Sequence, residues 1–303
     1  MKSKDDRIKS YNYEINTSHG KFLEEMMAEY DFDVIVKIGS MALIRKEDND
    51  IDYNIIARLA KDLRPGYILV SSGATEIGRI DYMKRNNGFE LRGDMEEIKT
   101  DYSSQGQTIL MEFYRRFINE HYSVRQVLVE HSHFNDKEKE EHLRRFFFRC
   151  ANQNAIPIVN YNDPVSNEEN RKMEISALRE KSGDDIVECV DNDETAAVIA
   201  GLVHAKKLVI LTSSEGIYMD AKDPSTLIGD VYAKNMEEMN KKIDELITYC
   251  HGASRKGANG AAAKLQFARR SIMNGCEVII AHARHSLSDI LAGKVKCTKL
   301  GIR

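Results

Sequence analysis

The segment Val34-Ile35-Val36-Lys37-Ile38-Gly39-Ser40 decides how the rest of the chain is interpreted. A near-continuous aliphatic run of this length is typical of a strand that is buried on both faces of a parallel sheet. A lysine near the end of such a run is costly to desolvate unless an anion meets it. Lys37 is therefore a candidate phosphate- or carboxylate-binding residue at the carboxyl end of a strand, where open α/β sheets bind ligands. An edge strand with a solvated lysine is the alternative.

Small hydrogen-bonding residues follow this strand and the next one. Gly39 lets the backbone turn and approach a ligand, and Ser40 offers a hydroxyl group and an N–H. Residues 67–74 repeat the pattern, because an aliphatic run there ends in Ser72 and Gly73. Such junctions expose backbone N–H groups that suit an anion. A single junction of this kind is best interpreted as an ordinary strand–helix turn. Two of them at successive strand ends favour an anion-binding edge.

Strands and helices alternate along the remaining sequence. Further aliphatic runs predict strands at 125–129, 155–160, 207–212 and 277–283. Helical patterns occupy 52–63, 105–117, 136–153, 195–204, 234–250 and 261–274. The alternation predicts an α/β fold with a mostly parallel sheet covered on both faces. Residues 79–104 are polar and poorly periodic, which predicts a mobile loop or lid, and the charged stretch 167–185 predicts a surface insertion.

Composition excludes several classes of protein. The 303 residues can form one large domain or two lobes. Lys+Arg number 44 and Asp+Glu 48, and a net charge of −4 argues against a surface that coats nucleic acid. The five cysteines form no Cys-x-x-Cys pair, which is typical of reduced intracellular thiols. The sequence has no apolar run near the ~20 residues that span a bilayer and no signal-peptide core, so we expect a cytoplasmic protein.

Two polar clusters are candidate ligand sites. His131 and His133 are close together, but no carboxylate at ligand spacing accompanies them, so we predict no protein metal site. Asp163 follows the strand at 155–160 and is flanked by asparagine. It is either a contact for substrate or metal-bound water or an Asx turn ahead of Pro164.

A glycine-rich segment, Gly257-Ala258-Asn259-Gly260-Ala261-Ala262-Ala263-Lys264, precedes the helix at 261–274. Small residues let backbone N–H groups approach a phosphate at the start of a helix, and Lys264 lies about one turn inside it. The segment is not a Walker A loop, because no lysine follows the second glycine directly and no Ser/Thr follows Lys264. Taken alone, such a helix start is as often a site of close packing.

Together these motifs resemble the amino acid kinase family. VIVKIGS, ILVSSGA, IPIVNYNDPV, VDNDETAAVIAG, LVILTSSEGIY, GDVY and GANGAAAKLQFARRSIMNG occur in the family's order from residue 33 to about 300. The resemblance implies an αβα three-layer sandwich with a mostly parallel central sheet, which transfers the γ-phosphoryl group of ATP, with Mg²⁺, to an acceptor carboxylate. Within the family, the likeness is to members that phosphorylate the side chain of glutamate in proline biosynthesis.

The resemblance also implies a domain organisation and partners. An extension over 1–31, expected to be helical, precedes a kinase domain over 32–303. Its acceptor-binding part covers about 32–190 and its nucleotide-binding part about 191–303. We expect a homo-oligomer with small-molecule substrates and no membrane partner. We expect no nucleic-acid partner either, because the sequence ends before the RNA-modification-like PUA domain that many such kinases carry.

Site residues follow from the motifs that match. The catalytic set is Lys37, Asp191 and Lys264, in which the lysines neutralise charge on the transferred phosphoryl group and Asp191 orients them. The substrate-binding set is Ser72, Gly73, Asp163 and Asn192. The nucleotide-binding set is Lys37, Gly39, Ser40, Thr212, Ser213, Gly257, Ala258, Asn259, Gly260 and Lys264.

Glu130 and Tyr161 depart from the family's motifs and are expected near the acceptor pocket, where they would add charge and bulk. This arrangement predicts that glutamate is a poor substrate and that Glu130→Thr improves its use. Another acceptor (a small acid, a phosphonate or a nucleoside monophosphate) is the alternative within the enzyme class. A nucleotide- or amino-acid-binding regulatory protein with weak or no turnover is the alternative outside it.

Overall fold

The computed structural model describes residues 32–45, 47–166, 168–182, 186–189, 191–250 and 260–303. The helix expected within 1–31 lies outside these residues, as do Gly257, Ala258 and Asn259. Over the described residues the predicted α/β class is confirmed: helices lie on both faces of a mostly parallel sheet.

The strands of the described residues are β1 Val34–Ile38, β2 Ile44–Arg45, β3 Asp50–Ile51, β4 Tyr67–Ser71, β5 Ser123–Val129, β6 Ala155–Tyr161, β7 Lys207–Thr212, β8 Asp230–Ala233, β9 Glu277–His282 and β10 Thr298–Ile302. Eight of them form one sheet in the order β5-β6-β4-β1-β7-β9-β10-β8. β1 pairs in parallel with β4 and β7, and β10 runs antiparallel to β9. β2 and β3 form a separate antiparallel pair.

The helices of the same residues are α1 Tyr53–Asp62, α2 Ala74–Arg85, α3 Met95–Phe117, α4 Ser132–Asn135, α5 Lys137–Asn152, α6 Glu168–Ser182, α7 Asn192–Leu202, α8 Met236–Tyr249, α9 Ala261–Met273 and α10 Leu287–Leu291. Short 3₁₀ turns occur at Ser40–Ala42 and Pro224–Thr226. None of the described helices is long and apolar enough to cross a membrane.

β1 divides the molecule into two cores, because successive side chains of a strand point to opposite faces. Val36 and Ile38 belong to the core formed with α1, α2 and α3. Ile35 belongs to the core formed with α5, α7, α8 and α9. Lys37 shares the face of Ile35. The lysine therefore points towards the layer that contains α7 and α9.

The loop or lid predicted over 79–104 is shorter than expected, because α2 continues to Arg85 and α3 begins at Met95, which leaves residues 86–94 between the helices. The carboxylate of Asp94 caps α3 by accepting the N–H groups of Glu96 and Glu97. Two glycines that flank the segment form the contact between the helices. A Cβ on Gly78 would lie 1.8 Å from Tyr102 O, and one on Gly106 would lie 1.8 Å from Ala74 O.

Gly106→Ala should therefore destabilise the protein. The added methyl group would meet backbone atoms of α2, which cannot move aside as a flexible side chain can. Overpacking of this kind costs roughly 1–3 kcal/mol or more, so we expect the free energy of unfolding to fall by about 2 kcal/mol or more in urea titration. Gly229→Ala is the matched control, because a Cβ there has no atom within 4 Å. Equal stability of the two variants would contradict the close helix crossing.

The predicted insertion at 167–185 contains α6, which packs against the carboxyl ends of β5 and β6. Ile175 of α6 is buried, and the guanidinium of Arg171 lies 5.8 Å from the centroid of the Tyr161 ring. Glu174 forms an ion pair with His131 at 2.9 Å. Burial lowers the pKa of His131, although the charge of Glu174 opposes the shift.

Candidate active site

A cleft of about 400 Å³ lies at the carboxyl ends of the central strands. It brings together most of the residues that the sequence singled out. Those that line it are Lys37, Gly39, Ser40, Ser72, Asp191, Asn192, Thr212, Ser213, Gly260 and Lys264. They come from parts of the chain more than 200 residues apart, and parallel strands bring them together because all their carboxyl ends meet at one edge.

Two lysines in the cleft share one carboxylate. Lys37 Nζ lies 2.7 Å from Asp193 Oδ1, and Lys264 Nζ lies 3.1 Å from Asp193 Oδ2. Asp193 is 3% exposed and Lys37 6%, so these charges are compensated by each other more than by water. The anion that a buried lysine on β1 requires is thus supplied by the first turn of α7. Two ammonium groups against one carboxylate leave the cluster with a net charge of +1, which suits a polyphosphate.

The carboxylate between the lysines belongs to Asp193, not to Asp191, to which the motif assigned that position. Asp191 is the N-cap of α7, and its Oδ1 accepts the N–H groups of Asp193 and Glu194. Helix geometry explains the difference, since the cap residue turns back to the helix start while a residue in the first turn projects from its side. Asp191 still lines the cleft.

The protonation state of Asp193 is set by opposing effects. Burial by itself raises the pKa of this carboxyl group. The charges of Lys37 and Lys264 and their hydrogen bonds outweigh burial, and the pKa of Asp193 lies below its usual value. Asp193 is therefore ionised at neutral pH and holds both ammonium groups at the cleft.

The predicted phosphate-binding turn after β1 is partly engaged with the sheet. The N–H of Gly39 donates to Leu211 O at 3.2 Å, so it extends the pairing of β1 with β7. Ser40 begins the 3₁₀ turn and, like Lys37 and Gly39, lines the cleft. After β7, Thr212 Oγ1 accepts the N–H of Ser214 at 3.0 Å, which folds the hydroxyl-rich turn along the other side.

A chain of buried amides connects the cleft with α3. Asn192 Nδ2 donates to Ser72 Oγ at 3.1 Å and to Asn160 Oδ1 at 2.9 Å. Asn160 Nδ2 donates in turn to Gln107 Oε1 at 2.9 Å. Gln107 was not predicted as a site residue. A glutamine on the inner face of a helix resembles an ordinary polar residue in sequence, and only the contact with Asn160 distinguishes it.

Two predicted substrate-binding residues lie outside the residues that line the cleft. Asp163, beyond β6, forms an ion pair with Lys99 at 3.2 Å and lines a neighbouring cavity of about 660 Å³ beside α2 and α3. Gly73 is the N-cap of α2 and has φ +104°. A Cβ there would lie 2.8 Å from Leu43 Cδ1, so Gly73 shapes the turn after Ser72.

Glu130 and Tyr161, which the sequence placed near the acceptor pocket, line neither this cleft nor the Asp163 cavity. Tyr161 follows Asn160 on β6 and so points to the opposite face of the sheet, where its hydroxyl group lies 2.7 Å from Ser166 Oγ. Glu130 Oε1 accepts a hydrogen bond from Asn162 Nδ2 at 2.7 Å. The geometry therefore gives no support to an effect of Glu130 on the acceptor.

The chain matches the model of the amino acid kinase family over residues 34–282 and belongs to that family. The glutamate 5-kinase of Geobacillus kaustophilus is 31% identical over 278 residues, which cover 89% of this chain and 67% of that protein. The glutamate 5-kinase of Clostridium perfringens is 27% identical over 272 residues, which cover 86% of this chain and 92% of that protein.

A solved structure shares the fold. Carbamate kinase from Giardia lamblia bound to AMP-PNP superposes with a TM-score of 0.55 at 14% identity, covering 91% of this chain and 99% of the other. At this identity the likeness concerns the fold alone. The expected amino acid kinase fold is thereby confirmed.

Proposed function

We propose that the protein transfers the γ-phosphoryl group of ATP to the side-chain carboxylate of glutamate, forming an acyl phosphate at the entry to proline biosynthesis. The observation that carries this proposal is the pair of ammonium groups, Lys37 and Lys264, held on opposite oxygens of one buried carboxylate in the cleft. Relatives named glutamate 5-kinase support the choice of acceptor.

Phosphoryl transfer needs positioning and charge neutralisation more than covalent chemistry. In the proposed mechanism the Lys37 ammonium group contacts the transferred phosphoryl group from β1, and the Lys264 ammonium group does so from the first turn of α9. Asp193 keeps both in place before ATP arrives, so that little reorganisation is needed during the reaction. Asp191, which lines the same cleft, remains a proposed catalytic residue.

Mg²⁺ would neutralise phosphate charge when it is bound together with ATP. The ion prefers oxygen ligands and is usually held by one or two carboxylates, substrate phosphates and water. The cleft offers donors of this type in Asp191 and Ser213. In the described part of the chain no three His, Cys, Asp or Glu side chains are grouped to hold a metal ion.

The acceptor is tested by measuring ADP release with Mg-ATP across a panel. Glutamate, aspartate, carbamate, UMP and a small phosphonate cover the classes that the sequence left open. We expect glutamate to give the highest kcat/KM, with an acyl phosphate that is trapped by hydroxylamine. Turnover of another acceptor with none of glutamate would show a kinase of different specificity. No turnover of any acceptor, with ATP still bound, would favour a regulatory protein.

We place the reaction in the cytoplasm, in agreement with the scattered cysteines. A homo-oligomer and the division into an acceptor-binding part and a nucleotide-binding part remain predictions from the family resemblance.

A further inference from the structure

The two edges of the eight-stranded sheet differ in how they are protected. At the β8 edge, Ala233 O accepts the N–H of Arg303, which directly follows β10, so the backbone of Ala233 faces β10. Tyr232, the residue before it, therefore faces the edge. Its carbonyl oxygen accepts a hydrogen bond from Lys242 of α8 at 2.6 Å. A lysine in this position hinders the pairing of another strand with β8.

The opposite edge is β5, which pairs only with β6 among the described residues. Val129 O accepts the N–H of Asn162, which directly follows β6. Because every second residue of a parallel strand bonds to the same neighbour, Gln126 and Leu128 direct their N–H and C=O groups away from β6. Backbone groups in this position are those to which an added strand binds.

A groove of about 560 Å³ lies between this edge and α5. Val127 of the strand and Leu143 and Phe146 of the helix give it an apolar lining, and His142 and Lys139 add polar groups. A strand beside β5 would direct every second side chain into this groove. The groove therefore fits an extended segment in which apolar residues alternate with polar ones.

We propose that residues 11–15 of this chain occupy the groove as an added strand beside β5. Their sequence, Tyr11-Asn12-Tyr13-Glu14-Ile15, alternates apolar and polar side chains, which is typical of a half-buried strand. The two tyrosines and the isoleucine would enter the groove, and the asparagine and the glutamate would face solvent. Tyrosine suits such a lining, because its ring packs on apolar groups while its hydroxyl group can reach a polar one.

The place where the chain enters the described fold supports this occupant. Phe32, the first described residue, is buried, and its ring centroid lies 5.3 Å from that of Phe148 on α5, the helix that forms one wall of the groove. Three strand spacings separate β1 from β5, so an added strand would lie about 19 Å from β1. Residues 16–31 can span up to about 53 Å when extended, which leaves enough length for the helix expected within 1–31.

The other candidate occupant is a second copy of the chain, with β5 of one copy beside β5 of the other. A tethered segment meets its site at an effective concentration of about millimolar, whereas a second copy must be supplied by the protein in solution. A strand from the same chain also covers the edge and so keeps two copies from pairing through it. These arguments favour residues 11–15.

The first test is hydrogen exchange of the full chain, measured by mass spectrometry at single amides. In the wild type, the amides of Gln126 and Leu128 should exchange about tenfold or more slowly than in Tyr13→Asp, because a charge in the apolar groove displaces the segment. The amides of β1 should exchange equally in both proteins, which shows that the variant is folded. Equal exchange of Gln126 and Leu128 in the two proteins would overturn the proposal.

Asn12→Asp is the matched control, because it adds the same charge at the neighbouring position, whose side chain would face solvent. Its exchange at Gln126 and Leu128 should equal that of the wild type. An acceleration as large as that of Tyr13→Asp would show that the face of the segment does not matter and would overturn the proposal. Loss of the wild-type protection on dilution would show that a second copy covers β5, with the same consequence.

Cross-linking identifies the occupant without displacing it. Tyr13→p-benzoylphenylalanine keeps an aromatic ring at position 13 and bonds to neighbouring groups when it is illuminated. We expect a product with the mass of one chain in which position 13 is joined to residues 126–129 or 143–146. A product with the mass of two chains would show that another copy supplies the segment. That product, or a single-chain product joined at a different surface, would overturn the proposal.

Discussion

Replacing either Lys37 or Lys264 by alanine should lower turnover on the order of 10²-fold or more, because each ammonium group offsets charge on the phosphoryl group in the transition state. The measurement is kcat for ADP release with Mg-ATP and the best acceptor of the panel. Lys241→Ala is the control, since that lysine is exposed on α8 and pairs only with Glu237 among the described residues. Values within a few-fold of the wild type for both active-site variants would refute the assignment.

The shared carboxylate makes the two substitutions interdependent. Either variant leaves Asp193 with a single ammonium partner, because each lysine contacts a different oxygen of the same carboxylate. Residues that act as a unit give non-additive effects. The double variant should therefore lose less activity than the product of the two single losses. Because Lys37 is nearly buried, its variant should also unfold at a lower temperature, and thermal unfolding is measured in parallel.

The sequence was sufficient to predict the sheet and the meeting of the two lysines. Aliphatic runs that end in small polar residues mark the carboxyl ends of parallel strands, and those ends necessarily share one edge. This geometry brought Lys37, Ser72 and Thr212 to one cleft without any knowledge of side-chain positions. Lys264, at the glycine-rich start of α9, was added to this cleft by the family resemblance.

The sequence could not predict features that depend on which of two neighbouring residues faces the site. Asp191 and Asp193 are separated by one residue, and the position of the helix cap decides which of them faces the lysines. Asn160 and Tyr161 are adjacent on β6, and a shift of one residue exchanges their faces. The close helix crossing at Gly106 could not be predicted either, because the backbone of α2 that it meets is distant along the chain.

Asp193→Asn should lower kcat on the order of 10²-fold without raising the KM of ATP. The amide cannot hold two ammonium groups as a carboxylate does, and misplacement of catalytic groups by about 1 Å costs this much. The variant also changes the charge of the cluster from +1 to +2, which favours binding of the polyphosphate. A fall in kcat with an unchanged or lower KM of ATP therefore separates positioning of the lysines from loss of nucleotide binding.

The same substitution has a pH-dependent effect on stability whose sign follows from the lowered pKa of Asp193. A carboxyl group whose pKa is lower in the folded state stabilises the protein above its unfolded pKa of about 3.9, and this stabilisation is lost as the pH falls through the folded value. The wild type should be more stable than Asp193→Asn by about 3 kcal/mol at pH 7, as for a broken buried ion pair. Urea titrations should show this difference shrinking below about pH 4, whereas Asp101→Asn, at an exposed position on α3, should match the wild type throughout. A difference that is constant with pH would mean that Asp193 is not ionised between the lysines.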